Sequence, residues 1–101
     1  MNKIVEKIGL PALLEQCAEE CSELTHACLK LARKMREENY TPKTMEECIE
    51  ALKEEIADVE LCLNAILDTK LICTDSDIVD IYFAKEKRWK ERLGIGEADN
   101  V

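Results

Sequence analysis

Glycine and proline are scarce in this chain of 101 residues, with three Gly and only Pro11 and Pro42. So few chain breakers leave little material for the tight turns of a strand-rich fold. No stretch alternates polar and apolar residues as a half-buried strand does, and the expected class is all-α. No run approaches the roughly 18 apolar residues that span a bilayer. The opening MNKIVEKIGL lacks the uninterrupted apolar region of a secretory signal, so neither a membrane partner nor export is expected. Basic residues are outnumbered, 14 Lys and Arg against 22 Asp and Glu, for a formal net charge of -8. That sign is wrong for gripping phosphate backbones, and no nucleic-acid partner is expected. Aromatic side chains are limited to Tyr40, Tyr82, Phe83 and Trp89, and His26 is the single histidine. The length allows one small domain and no second core.

Cysteine is the residue that is not scarce. Six in so short a chain raise the possibility of a disulfide framework, yet there is no CxxC. Cys17, Cys21 and Cys28 fall on an apolar helical stripe, and Cys48 and Cys62 flank another. A free cysteine in such a place behaves as a small hydrophobe. A reducing, cytoplasmic setting is the expectation.

The periodicity divides the chain into helices within one domain, residues 1–95, followed by a loose tail over 96–101. A short helix over residues 2–8 ends at Gly9, and Pro11 suits the first turn of the next. That helix runs from about 11 to 37, with Leu13, Cys17, Cys21, Leu24, Cys28, Leu31 and Met35 as its apolar stripe. Thr44-Met45-Glu46-Glu47 reads as a capping box opening a second long helix that reaches Thr69. Its stripe is Ile49, Leu52, Ile56, Val59, Leu63 and Ile66. Thr74, Asp75 and Ser76 offer a start for a third, which stops at Gly94 in a left-handed cap.

Two carboxylate pairs recur on these helices at the same spacing: Glu20 and Glu23 on the first, Glu55 and Asp58 on the second. Residues three apart share one helix face, so each pair aims two like charges at one point. In bulk water that repulsion is slight and no cation is required. At a partly buried site the effective dielectric falls and the repulsion grows severalfold, which calls for a counter-ion. Glu20 and Glu55 border the two apolar stripes, and Glu23 and Asp58 lie one row out. Both pairs are therefore placed at the rim of a core.

The third helix inverts the overall charge, with five basic residues in KEKRWKER at 85–92. Lys85, Arg88 and Arg92 form a row beside an apolar edge of Ile78, Tyr82 and Trp89. Cations near a helix C-terminus are favoured by its dipole, and they also suit the oxygens of a polyphosphate, which Arg meets with a planar fork.

The pattern Glu19-Glu20-x-x-Glu23 followed by Glu55-x-x-Asp58 resembles the signature of the MazG-like, all-α nucleoside triphosphate pyrophosphohydrolases. The likeness extends to AEECSELTHACLKLARK, EEIADVELCLNAI and AKEKRWKERLG, and so covers most of the chain. It departs from the family in a longer segment between Glu23 and Glu55 and in Cys62, where a larger polar or aromatic residue is common.

The resemblance implies a helical bundle of two long antiparallel helices plus the basic C-terminal helix, assembled as a homodimer or homotetramer. It implies Mg²⁺, or Mn²⁺ in its place, held by Glu20, Glu23, Glu55 and Asp58. Glu19 belongs to the family motif but points away from Glu20, and is expected to support the site and not to bind metal; Glu54 is expected to be a solvated charge. Lys85 and Arg88 contact phosphate. The implied reaction is hydrolysis of a nucleoside triphosphate at the α-phosphate to nucleoside monophosphate and pyrophosphate, a cleansing of the nucleotide pool. The base-binding residues stay open, with Tyr40, Tyr82, Phe83, Trp89 and Asn64 as candidates.

Two other readings compete. Glu23 and His26 form an ExxH element, which with Glu55 could build a ferritin-like di-iron site in a dimer. The acids could also be solvated charges on a non-enzymatic helical oligomerisation module.

Overall fold

A computed structural model describes residues 2–38 and 42–96. Tyr40 and the proposed tail beyond Gly96 lie outside the described residues. Those described form four helices and no strand: α1 Lys3–Ile8, α2 Leu10–Arg36, α3 Met45–Thr69 and α4 Asp75–Arg92. None is long and apolar enough to cross a membrane. The fold divides into two compact units, Met1–Thr69 and Lys70–Val101.

Local chemistry accounts for the boundaries. Asn2 caps α1, its side-chain oxygen accepting the Ile4 N–H at 2.8 Å. Gly9 joins α1 to α2 at φ +86, ψ 158, a region that only glycine occupies at ease. Pro11 follows in the first turn of α2, where its missing N–H costs nothing. The end of α2 is closed by Glu37 in the left-handed conformation, with the Glu37 and Glu38 N–H groups donating back to Lys34 and Arg33 carbonyls. The capping box ahead of α3 forms as the spacing predicts. Thr44 N–H donates to Glu47 Oε1 at 2.9 Å, and Glu47 N–H donates to Thr44 Oγ1 at 3.1 Å.

In the first unit α2 and α3 form an antiparallel pair. Leu13 packs with Val5 and Ala65 near one end. Glu20 lies beside Asp58 and Glu23 beside Glu55 in the middle, and Ala27 shares a cavity with Cys48 and Ala51 toward the other end.

The contact face differs from the one hydrophobicity predicts. On α2 it swings from Cys21 and Cys28, which are exposed, onto Glu20, half-buried, and Ala27, buried. On α3 it swings from Ile56 and Leu63 onto Glu55, half-buried, and Cys62, buried. Met35, also assigned to the core, is 61% exposed. The reason is size. Leu13, Leu31 and Val59 of the predicted stripes stay buried, but the residues that join them in the seam, Ala27, Cys48, Cys62 and Ala65, are small, and small side chains let two helix backbones approach closely. The larger Ile56 and Leu63 are turned aside.

In the second unit α4 is opened by a capping box, Thr74 N–H donating to Asp77 Oδ2 at 2.9 Å and Asp77 N–H to Thr74 Oγ1 at 3.3 Å. Leu93 caps its end and Gly94 follows at φ +75, as predicted. No residue of α4 is buried.

Candidate metal centre

The swing of the seam carries both glutamates inward. Glu20, Glu23 and Glu55 each offer a carboxylate oxygen, and the three oxygens lie within 4.8 Å of one another. Glu23 and Glu55 come within hydrogen-bond reach across the seam, as do Glu20 and Asp58. Two interhelical carboxyl pairs thus stack along the hairpin, one turn apart on each helix.

Two of these oxygens are shielded without a partner. Gln16 Nε2 donates to Glu20 Oε1 at 2.9 Å. The other oxygen of Glu20 and one oxygen of Glu55 are shielded from solvent and accept no hydrogen bond. A buried carboxylate oxygen without a donor is costly, and native structures rarely leave one so. Burial, followed by the charges of Glu23, Asp58 and Glu20, pushes the Glu55 carboxyl above its ordinary 4.5. Burial also pushes Glu20 up, aided by Asp58 and Glu23 and opposed by the Gln16 amide.

The donor set suits a hard cation. The neighbouring sulfurs lie outside the three-oxygen cluster. Burial, with the charges of Glu20 and Asp58, pushes the Cys62 thiol up, and burial and Cys21 push Cys17 up. All six cysteines are free thiols.

Of the four acids expected to bind metal, the three glutamates converge. Asp58 is exposed and stands beside Glu20, outside the three-oxygen cluster. His26 is also outside the cluster, in a neighbouring cavity that Glu23 and Glu55 line as well. Glu19, Glu54 and Asn64 are exposed. In the second unit Lys85, Arg88 and Arg92 line one surface groove with Tyr82, Glu86 and Trp89, as their spacing predicts; Phe83 faces a different one.

Gln16, the hydrogen-bond donor to Glu20, is absent from the sequence-based set, although its position four residues before Glu20 places it on the same face. Lys30, seven residues after Glu23 and again on its row, is absent for the same reason, as is Lys43 from the loop before α3. No family model, curated protein or solved structure matches the chain.

Proposed function

We propose that Glu20, Glu23, Glu55 and Asp58 bind Mg²⁺ and that the protein hydrolyses a nucleoside triphosphate to the monophosphate and pyrophosphate, in the manner of the MazG-like enzymes its sequence resembles. The carrying observation is the pair of shielded, donorless oxygens on Glu20 and Glu55. Solvated acids on an oligomerisation module would keep water on those atoms.

Bound Mg²⁺ supplies charge neutralisation and polarisation of the phosphoryl oxygens. The three glutamates hold their oxygens in place through the rigid hairpin, and Gln16 fixes the rotamer of Glu20. Asp58, at the exposed margin, would complete the ligand set from the solvent side. Lys85 and Arg88 serve as phosphate donors, Arg88 through its planar guanidinium fork. Tyr82 and Trp89 offer rings for a base. Mn²⁺ fits the same oxygens. On this reading the protein works in a reducing compartment as a homodimer or homotetramer.

The test is release of pyrophosphate from the common ribo- and deoxyribonucleoside triphosphates with Mg²⁺ and with EDTA, for the wild type and Glu55→Gln. Magnesium-dependent release that Glu55→Gln abolishes is expected. Release that persists in EDTA, or full activity in Asp58→Ala, would overturn this assignment.

A further inference from the structure

The acid cluster has unlike neighbours on its two sides. Toward α1 it borders an apolar cleft walled by Ile4, Ile8, Leu61 and Ala65. Toward the α2–α3 loop it borders a cavity of about 230 Å³ that Glu23 and Glu55 share with His26, Lys30 and Lys43. Cations thus gather on one side of the acids, and apolar side chains on the other.

Resting on the metal reading above, we propose that the Lys30–Lys43 cavity holds the two terminal phosphates of the bound triphosphate, which sets the direction in which the substrate lies along the hairpin. Size supports a partial ligand. At about 230 Å³ the cavity falls below the roughly 300–1,000 Å³ of sites that enclose a whole small molecule. Its depth comes from the seam, because Ala27, Cys48 and Ala51 form its apolar wall and none is large enough to fill it.

Position supports an anion bridging metal and lysine. His26 and Lys30 follow Glu23 by three and seven residues, on one row of α2 and about 4.5 and 10.5 Å along its axis. A long helical side chain leans toward the helix N-terminus, so Lys30 reaches back over His26 toward Glu23. Lys43 enters from the loop, where it also lies beside Glu47. An ammonium is a compact donor with three N–H bonds, well matched to phosphate oxygens that the metal leaves uncovered. The opposite orientation would set the phosphates against a cleft lined by Ile4, Ile8 and Leu61, whose own lining offers Gln16 and no cation.

The experiment is calorimetric titration of the full chain, first with Mg²⁺ alone and then with inorganic pyrophosphate in saturating Mg²⁺. Wild type is compared with Lys30→Gln, Lys43→Gln and a surface control, Lys53→Gln, whose ammonium pairs with Glu50 at 2.9 Å. The expected result is unchanged Mg²⁺ affinity in all four proteins, with pyrophosphate binding weakened about tenfold or more in Lys30→Gln and Lys43→Gln and not in Lys53→Gln. Intact Mg²⁺ binding with pyrophosphate affinity unmoved in both cavity variants would overturn the phosphate assignment and leave the metal reading standing. Equal weakening in all three lysine variants would overturn it as well, because it would mark a general charge effect. Failure of the wild type to bind Mg²⁺ would overturn the metal reading and this inference with it.

Discussion

Glu55 carries the sharpest test at the scale of one side chain. Glu55→Gln keeps the shape and removes a charge that three neighbouring acids oppose. Without metal, this variant is expected to melt above the wild type at pH 7, and the rise in Tm that Mg²⁺ gives the wild type is expected to vanish. A lower metal-free Tm combined with an undiminished response to Mg²⁺ would remove Glu55 from the centre. The same residues fix a pH dependence. Glu20 and Glu55 have folded values above the ordinary 4.5, so just above 4.5 the folded state holds more protons than the unfolded one. Their stabilising contribution is complete below about 4.5 and is lost as pH rises through their folded values. Glu47 behaves oppositely: the Thr44 N–H, then the Thr44 hydroxyl contact, lowers it, so its contribution is present above 4.5 and is lost as pH falls through its folded value. In EDTA the Tm should therefore decline from about pH 5 toward neutrality, and Mg²⁺, which competes with the protons, should flatten or reverse that decline. Thermal melts across this range check both slopes, and a Tm that climbs toward neutrality in EDTA would contradict the buried-acid account.

At the scale of the helix, the caps and the joint make separable predictions. Gly9 holds φ +86 and ψ 158, and an added Cβ would meet only Pro11 Cδ at 3.9 Å. Gly9→Ala is thus a torsional change without crowding, expected to cost roughly 1–3 kcal/mol and to lower the urea midpoint. Thr44→Ala removes one half of the α3 capping box, a loss of about 1 kcal/mol that should lower Tm by about 4–8 °C in a domain of this size. Features of this kind were legible in the sequence because they rest on local chemistry: Gly9 and Pro11 at the joint, Thr44 with Glu47, Thr74 with Asp75 following, and Gly94. Glu20, Glu23 and Glu55 were legible as acids at the rims of two helical stripes, but the register that brings them together depends on how α2 and α3 pair, which spacing along one helix does not fix. The exact face of each helix was not legible. Hydrophobic periodicity placed Leu13, Leu31 and Val59 correctly in the core but also selected Cys21, Ile56 and Leu63, which are exposed, and passed over the small Ala27, Cys62 and Ala65, which are buried. The lysine cavity was hidden for the same reason, because it exists only where Ala27 and Ala51 leave space between two particular helices.

For the molecule as a whole, the side chains that the seam turned aside become the issue. The residue after a contact position is rotated by about 100°, and in an antiparallel pair that rotation points to the same side of the hairpin from both helices. Leu14, Cys21, Cys28 and Met35 on α2 therefore share a side with Ile56 and Leu63 on α3. All six are exposed, with Leu14 at 42%, Ile56 at 42% and Leu63 at 45%. Leu13, Leu31 and Val59 of the predicted stripes are buried, while Cys21, Cys28 and Met35 on α2 and Ile56 and Leu63 on α3 form a second apolar face in the single chain. Contiguous apolar surface of this kind marks an interface, and a domain this small gains most from sharing one. A homo-oligomer built on this face accounts for both the pattern and the exposure. Light scattering should give at least twice the 11.5 kDa chain mass, and Tm should rise with protein concentration, since association stabilises the folded chain by mass action. Leu63→Glu, at the Leu14 end of the face and about two turns from Glu55, should shift the population to monomer and remove the concentration dependence. A wild type that is monomeric, or a Leu63→Glu variant of unchanged mass, would show that this face is not where copies of the chain meet.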